Sequence, residues 1–256
     1  AMAAIAATTK TLKFGSSVLI PSLRNPVILA KQLATVDFLS EGRLLPAIGL
    51  GSDDLREYES AGIRKQDRAA RTDEAIRIMR RLWTENNVTH DGHFYKMTDV
   101  TIEPKPLFQP FLPIWIGGRT EYAQRRVARL GDGWIASTVT PGEVANGIEN
   151  IGLYLEEEGR SIEEDHYGVI LGTYVAKSRE DAMDMIYAYT NRFREDIPLA
   201  SYTLAGTPEQ IREMIEEYRV AGISKFILRL ACGETESLDQ LTWLAETIAK
   251  PMNLVN

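Results

Sequence analysis

Four consecutive residues, Gly117-Gly118-Arg119-Thr120, bring bare backbone, a fixed positive charge and a hydroxyl to the point where an apolar run gives way to a helical one. A glycine pair lets the main chain approach a ligand. A helix opening near Thr120 directs unpaired N–H groups and the positive end of its dipole at the same point. Arg119 can add a charge-assisted hydrogen bond and Thr120 a neutral one, so the chemistry suits a phosphate. Spacing alone fits a tight strand-to-helix turn with a solvated arginine equally well.

Three other run ends share this character. Ser137-Thr138 closes the next apolar run and could contact a ligand or cap a helix before Pro141. Ser16 and Ser17 with Val18, and Gly49 and Gly51 around Leu50, stand where a flat ring could lie against bare backbone, or where ordinary turns need glycine. The histidines offer less. His90 and His93, in "HDGH", are too few ligands for a metal and read as a surface hairpin, while His166 precedes a strand and caps it or faces solvent. Cys232 has no evident histidine partner and reads as a small buried hydrophobe. No P-loop, GxSxG or zinc pattern occurs.

The elements that must position these residues follow from periodicity. Short β-type runs ("TLKFGSSVLI", "RLLPAIGLG", "PIWIGG", "GWIAST", "YGVILGTYVA", "KFILRLA") alternate with apolar residues at helical spacing. The helical sets are Leu29, Leu33 and Val36; Ile76, Met79 and Trp83; Ala123, Val127 and Leu130; Val144, Ile148, Ile151 and Leu155; Met185, Tyr189 and Phe193; and Ile211, Ile215 and Tyr218. Thr207-Pro208-Glu209-Gln210 spells a capping box, and Gly222 closes the same helix. Strands apolar almost throughout and alternating with helices indicate an α/β chain with a parallel sheet, as an open doubly wound sheet or a barrel. The spacing gives six strands in one domain over 1–256, with an insertion at about 86–112 that carries a hairpin near Asp91-Gly92 and a proline-punctuated loop. That insertion and Arg194–Ala205 are long enough to form lids, although loop packing explains their aromatic residues better.

Composition bounds the rest. The chain has 256 residues, 44% hydrophobic, with a net charge of -7, which disfavours a nucleic-acid or anionic-membrane surface. One cysteine excludes an internal disulfide framework and fits a cytoplasmic setting. No run nears the roughly 20 apolar residues that span a bilayer. The opening "AMAAIAATTK" lacks the basic leading region of a signal peptide.

Together "NPVILAKQLATVDFLSEGRLLPAIGLG", "PIWIGGRTEYAQRRVARLGDGW" and "GTPEQIREMIEEYRVAGISKFIL" resemble, in order and spacing, the bacterial luciferase-like monooxygenases and their deazaflavin-dependent relatives. The resemblance implies a TIM (β/α)8-type barrel with its cofactor at the C-terminal strand ends, here lacking the first two strand–helix units of the family. It implies an oxidoreductase, read as a monooxygenase, that uses reduced FMN or the deazaflavin coenzyme F-420 to oxygenate or reduce a small organic substrate. Carried over, Gly117, Gly118, Arg119 and Thr120 match the flavin phosphate positions, with Ser137 and Thr138 nearby. Ser16, Ser17 and Val18 match the strand against the ring, with a cis Ser17-Val18 peptide, and Gly49, Leu50 and Gly51 match the next strand end. No catalytic residue and no metal is assigned. The family's active histidine region has no counterpart here, which admits a flavin-binding subunit without activity of its own. A weaker third reading is an unrelated barrel enzyme acting on a phosphorylated metabolite. A homodimer is expected, since relatives pair through barrel helices.

Overall fold

The computed structural model describes residues 1–108, 110–190 and 194–252. Their contacts form two compact units, Ala1–Trp134 with Tyr154–Ile162, and Ile135–Leu153 with Glu163–Asn256. The first unit runs through α1 (Met2–Thr8), β1 (Phe14–Gly15), α2 (Pro26–Leu39), β2 (Leu44–Leu45), β3 (Ala47–Ile48), α3 (Leu55–Ser60), α4 (Arg68–Thr84), β4 (Val88–Asp91), β5 (Lys96–Val100), β6 (Trp115–Gly117) and α5 (Glu121–Leu130). The division falls inside β7 (Gly133–Ser137) and α6 (Pro141–Glu158). The second unit continues with β8 (Tyr167–Val175), α7 (Arg179–Tyr189), β9 (Thr203–Gly206), α8 (Pro208–Val220), β10 (Lys225–Leu230) and α9 (Glu234–Leu244).

In the first unit β1 pairs with β2 and β3 with β6, both parallel, with Phe14 opposite Leu44 and Ala47 opposite Trp115. The run expected as one strand from Arg43 is therefore two. Pro46 has no N–H to extend a ladder, and the strand changes partner there. In the second unit β8 is parallel to both β10 and β9. The six expected strands become ten among the described residues, through this split, the hairpin pair β4–β5 and the short β9.

Helix starts follow their side chains. Asn25 caps α2 by accepting the N–H groups of Val27 (2.9 Å) and Ile28 (3.3 Å), with Pro26 at the first position. Thr207 and Gln210 form the expected reciprocal box on α8. The α7 face differs from expectation. Ala182 and Ile186 are buried and pack with Leu199, Tyr202 and Ala205, whereas Tyr189 is 52% exposed; Phe193 lies outside the described residues. Between α4 and α5 the Asp73 carboxylate accepts the Arg126 Nε–H at 2.5 Å and an Arg129 Nη2–H at 3.0 Å.

The insertion is anchored from below. The β4–β5 hairpin pairs Asp91 with Lys96, and Glu74 of α4 accepts the N–H groups of Phe94 (3.1 Å) and Tyr95 (2.9 Å) and meets His90 Nε2 at 3.1 Å. Buried Asp37 of α2 accepts the N–H groups of Leu107 (2.8 Å) and Phe108 (3.2 Å). Lys105 donates to the carbonyls of Leu82 and Glu85. His90 is therefore a half-buried partner of Glu74 rather than a free surface residue. Tyr202, in the other candidate lid, is a core residue. Among the described residues no helix is long and apolar enough to cross a membrane, and no group of three or more His, Cys, Asp or Glu could hold a metal ion.

Candidate functional site

The first run end is a bulge. Ser16 Oγ donates to the Ala47 carbonyl at 2.8 Å and accepts the Ala47 N–H at 3.1 Å, so the hydroxyl substitutes for a ladder bond. The Leu19 N–H returns to the same Ala47 carbonyl at 2.8 Å, and Gly49 N–H donates to Leu19 O at 2.8 Å. Pinned on both sides, Ser17 and Val18 stand out of the ladder, and the peptide between them is cis. Ser16 thus has its hydroxyl engaged on Ala47 and can offer a ligand mainly backbone.

Gly49 is what lets Val18 come so close. A Cβ there would lie 2.5 Å from Val18 Cγ2. Gly51 holds φ at +85°, and a Cβ on it would meet the Tyr58 hydroxyl at 2.6 Å and Ile20 Cδ1 at 2.9 Å. Tyr58, buried on α3, locks this turn by hydrogen bonds to the carbonyls of Leu50 (2.5 Å) and Ser52 (3.0 Å). Burial raises the Tyr58 pKa, which keeps the phenol a donor. Beside the bulge opens a cavity of about 420 Å³ lined by Val18, Leu19, Ile20, Leu23, Arg24 and Glu57. The Glu57 carboxylate is oriented by the Ser52 hydroxyl at 2.8 Å.

The second run end is the β6–α5 turn. Gly118 has φ +134°, where only glycine is at ease, and a Cβ would strike the Ala123 methyl at 2.7 Å. Thr120 caps α5, its Oγ1 accepting the Ala123 N–H at 3.4 Å; this uses a lone pair and leaves the O–H hydrogen able to donate. Arg119 is exposed. The Trp134 indole N–H donates to Gly118 O at 2.7 Å and fixes the turn from beneath. The first turn of α5 also carries Glu121, which pairs with Arg125 at 2.9 Å.

In the second unit, Ser137 ends β7 and Thr138 follows with φ +54°. Arg194 Nη1 donates to Thr138 O at 3.1 Å and contacts Glu143, which accepts the Thr140 N–H at 2.8 Å. Burial works to raise the Glu143 pKa, but the Thr140 N–H and Arg194 outweigh it and hold the carboxyl below its usual range.

The anticipated residues of the first unit lie on the bulge, on the Gly49–Gly51 turn beside it and on the β6–α5 turn, and the side chains that lock the two turns, Tyr58 and Trp134, were not anticipated. Neither bears a spacing signal, since their partners are backbone carbonyls 6 to 16 residues away. Cys232 is half-buried rather than buried, and burial raises its thiol pKa. His166 stands 3.7 Å from Asp165.

Comparison with known proteins places the chain in a family. The model of the luciferase-like monooxygenase family matches residues 1–225. The F420-dependent glucose-6-phosphate dehydrogenase of Amycolatopsis mediterranei is 28% identical over 254 residues, covering 88% of this chain and 75% of its own. The FMNH(2)-dependent dimethylsulfone monooxygenase of Pseudomonas putida is 24% identical over 253 residues, covering 86% and 69%. The crystal structure of monooxygenase RslO1 from Streptomyces bottropensis is similar in fold, with a TM-score of 0.82 at 24% identity over 98% of this chain and 81% of that one.

Proposed function

Because the chain belongs to the luciferase-like monooxygenase family and shares its α/β barrel fold, we propose that it is an oxidoreductase that holds reduced FMN or the deazaflavin coenzyme F-420 and acts on a small organic molecule. The observation that carries this reading is the bulge and its cavity. Val18 is thrust forward by the Ser16–Ala47 bridge and admitted by Gly49, beside about 420 Å³ of space walled by Val18, Leu19, Ile20 and Leu23 together with charged Arg24 and Glu57. That size suits a small-molecule site, and its wall is the kind of surface on which a flat heterocycle rests.

The chain's own residues have separable tasks in this reading. Ser17, Val18, Gly49, Leu50 and Gly51 supply the backbone face for the ring. Gly117, Gly118, Arg119 and Thr120 bind the phosphate, with N–H groups of the α5 first turn, the Thr120 hydroxyl and the guanidinium. In the second unit the same reading assigns Ser137 and Thr138 to cofactor contact. When bound, the cofactor supplies the two-electron chemistry, while the protein orients it and excludes water. No side chain is assigned as general acid or base.

Oxygenation and hydride transfer are the two finer chemistries. The Pseudomonas relative supports the first through FMN and the Amycolatopsis relative the second through the deazaflavin. One assay separates them: oxidation of each reduced cofactor with and without dioxygen, across small alcohols, ketones and sulfones. Substrate-dependent oxidation of reduced FMN that needs dioxygen identifies a monooxygenase; dioxygen-independent turnover with the deazaflavin identifies a dehydrogenase. Binding of a cofactor without turnover of any substrate would favour a non-catalytic flavin-binding subunit.

We also infer a homodimer and a cytoplasmic location. The dimer is supported by α2, which buries Leu29, Ala30, Leu33 and Ala34 yet exposes Ile28, Phe38 and Leu39 at 58%, 50% and 58%. A helix apolar on both faces is suited to burial on both.

A further inference from the structure

Thr138 is β-branched and still holds φ at +54°. Such backbone is costly for a residue of this type and persists only where its surroundings over-determine it. Here three successive residues are each fixed by a side chain from elsewhere in the second unit. Arg194 Nη1 donates to Thr138 O at 3.1 Å, the Tyr218 hydroxyl of α8 to Val139 O at 2.5 Å, and the Thr140 N–H to Glu143 of α6 at 2.8 Å.

Arg194 is itself held from several directions. Its guanidinium meets Glu143 Oε1 at 2.7 Å and also pairs with Asp196, and its own N–H donates to the Tyr202 hydroxyl at 3.1 Å. The side chain is only 10% exposed. A surface arginine that merely solvates a loop would not be enclosed in this way.

We propose that Arg194 is a positioning residue for the cofactor site: clamped by Glu143 and Asp196, it holds Thr138 in its left-handed conformation and so sets how the Ser137–Thr138 turn meets the cofactor, the Thr138 hydroxyl donating to Ser137 O at 2.6 Å and keeping its lone pairs for a ligand. The proposal rests on the assignment of those two residues to cofactor contact. It does not require Arg194 to touch the cofactor.

The test is a double-mutant cycle of Arg194→Ala with Thr138→Gly, because glycine adopts this φ without a Cβ penalty and no longer needs the clamp. Cofactor affinity is read by fluorescence quenching with FMN and with the deazaflavin coenzyme. In the Thr138 background Arg194→Ala should weaken binding about tenfold, with Arg194→Lys between it and the wild type, since a point charge replaces a planar fork. In the Thr138→Gly background the same change should alter affinity by less than about twofold. Equal weakening in both backgrounds, or none in either, overturns the proposal. If Arg194→Ala does not fold, the cycle is run with Arg194→Lys. If the wild-type protein binds neither cofactor, the functional reading fails, and the cycle measured on the free protein by denaturant midpoint still decides the clamp: non-additive losses support it and additive ones refute it.

Discussion

At Gly49 an added methyl would fall 2.5 Å from Val18 Cγ2, so Gly49→Ala must displace the residue on which the proposed ring rests. The substitution is expected to cost about 1–3 kcal/mol of stability by overpacking and to weaken cofactor binding. Gly142→Ala, with nothing within 4 Å of the new methyl, should do neither. Denaturant unfolding and quench titration of the pair check both statements; similar behaviour of the two variants would remove the steric argument. Glu143 makes a pH prediction. Its folded pKa lies below the ordinary 4.5, so its contribution is present above that value and fades as pH falls through the folded one. Glu143→Gln should therefore be less stable near neutrality and should lose less stability than the wild type on acidification. Parallel stability curves from about pH 7 to pH 3 would contradict the assignment. At this scale the sequence was readable where a residue type has few uses: the glycines and hydroxyls at run ends signalled the turns, and the family resemblance carried the cis Ser17-Val18 bond, which the structure contains. It was silent where a side chain bonds to distant backbone, as Ser16 does to Ala47 and Arg194 to Thr138.

Among the elements, α5 is held from two sides. Trp134 at the start of β7 fastens the turn before it, and Asp73 of α4 fastens its Arg126 and Arg129. Trp134→Phe keeps most of the buried ring and removes the N–H, so it should cost about 1 kcal/mol, with a loss of cofactor affinity if the Gly118 turn carries the phosphate. Asp73→Ala leaves Arg126, 7% exposed at its side chain, without its carboxylate, and should cost about 3–5 kcal/mol. Unfolding midpoints test both, and a loss under about 1 kcal/mol for Asp73→Ala would mean that Arg126 reaches water. Helices were the legible elements, because a 3.6-residue period and caps such as Asn25 and Thr207 are local signals. Strands were legible in kind but not in extent. Four-residue β9 is too short to show a period, the split at Pro46 depends on which neighbour each half finds, and the buried face of α7 is chosen by Leu199, Tyr202 and Ala205, which lie beyond the helix itself.

For the whole molecule, the apolar exposure of α2 predicts association. Light scattering should give twice the monomer mass of 28.7 kDa, and Phe38→Glu should shift the protein toward monomer. A wild-type protein that is monomeric at micromolar concentration would leave α2 without the proposed partner. Fold and cofactor class could be read from three linked sequence segments because each joins a strand to an adjacent helix. The cavity beside Val18 could not, since no spacing in the sequence brings Leu23, Arg24 and Glu57 to one wall. The decisive measurement is a fluorescence-quench titration of the purified protein with FMN and with the deazaflavin coenzyme, repeated for Arg119→Ala. Saturable binding of at least one cofactor is expected, weakened about tenfold by the substitution as a charge-assisted contact to the phosphate is lost. Absence of binding by both cofactors would contradict the function, and binding that Arg119→Ala leaves unchanged would contradict the part given to Arg119.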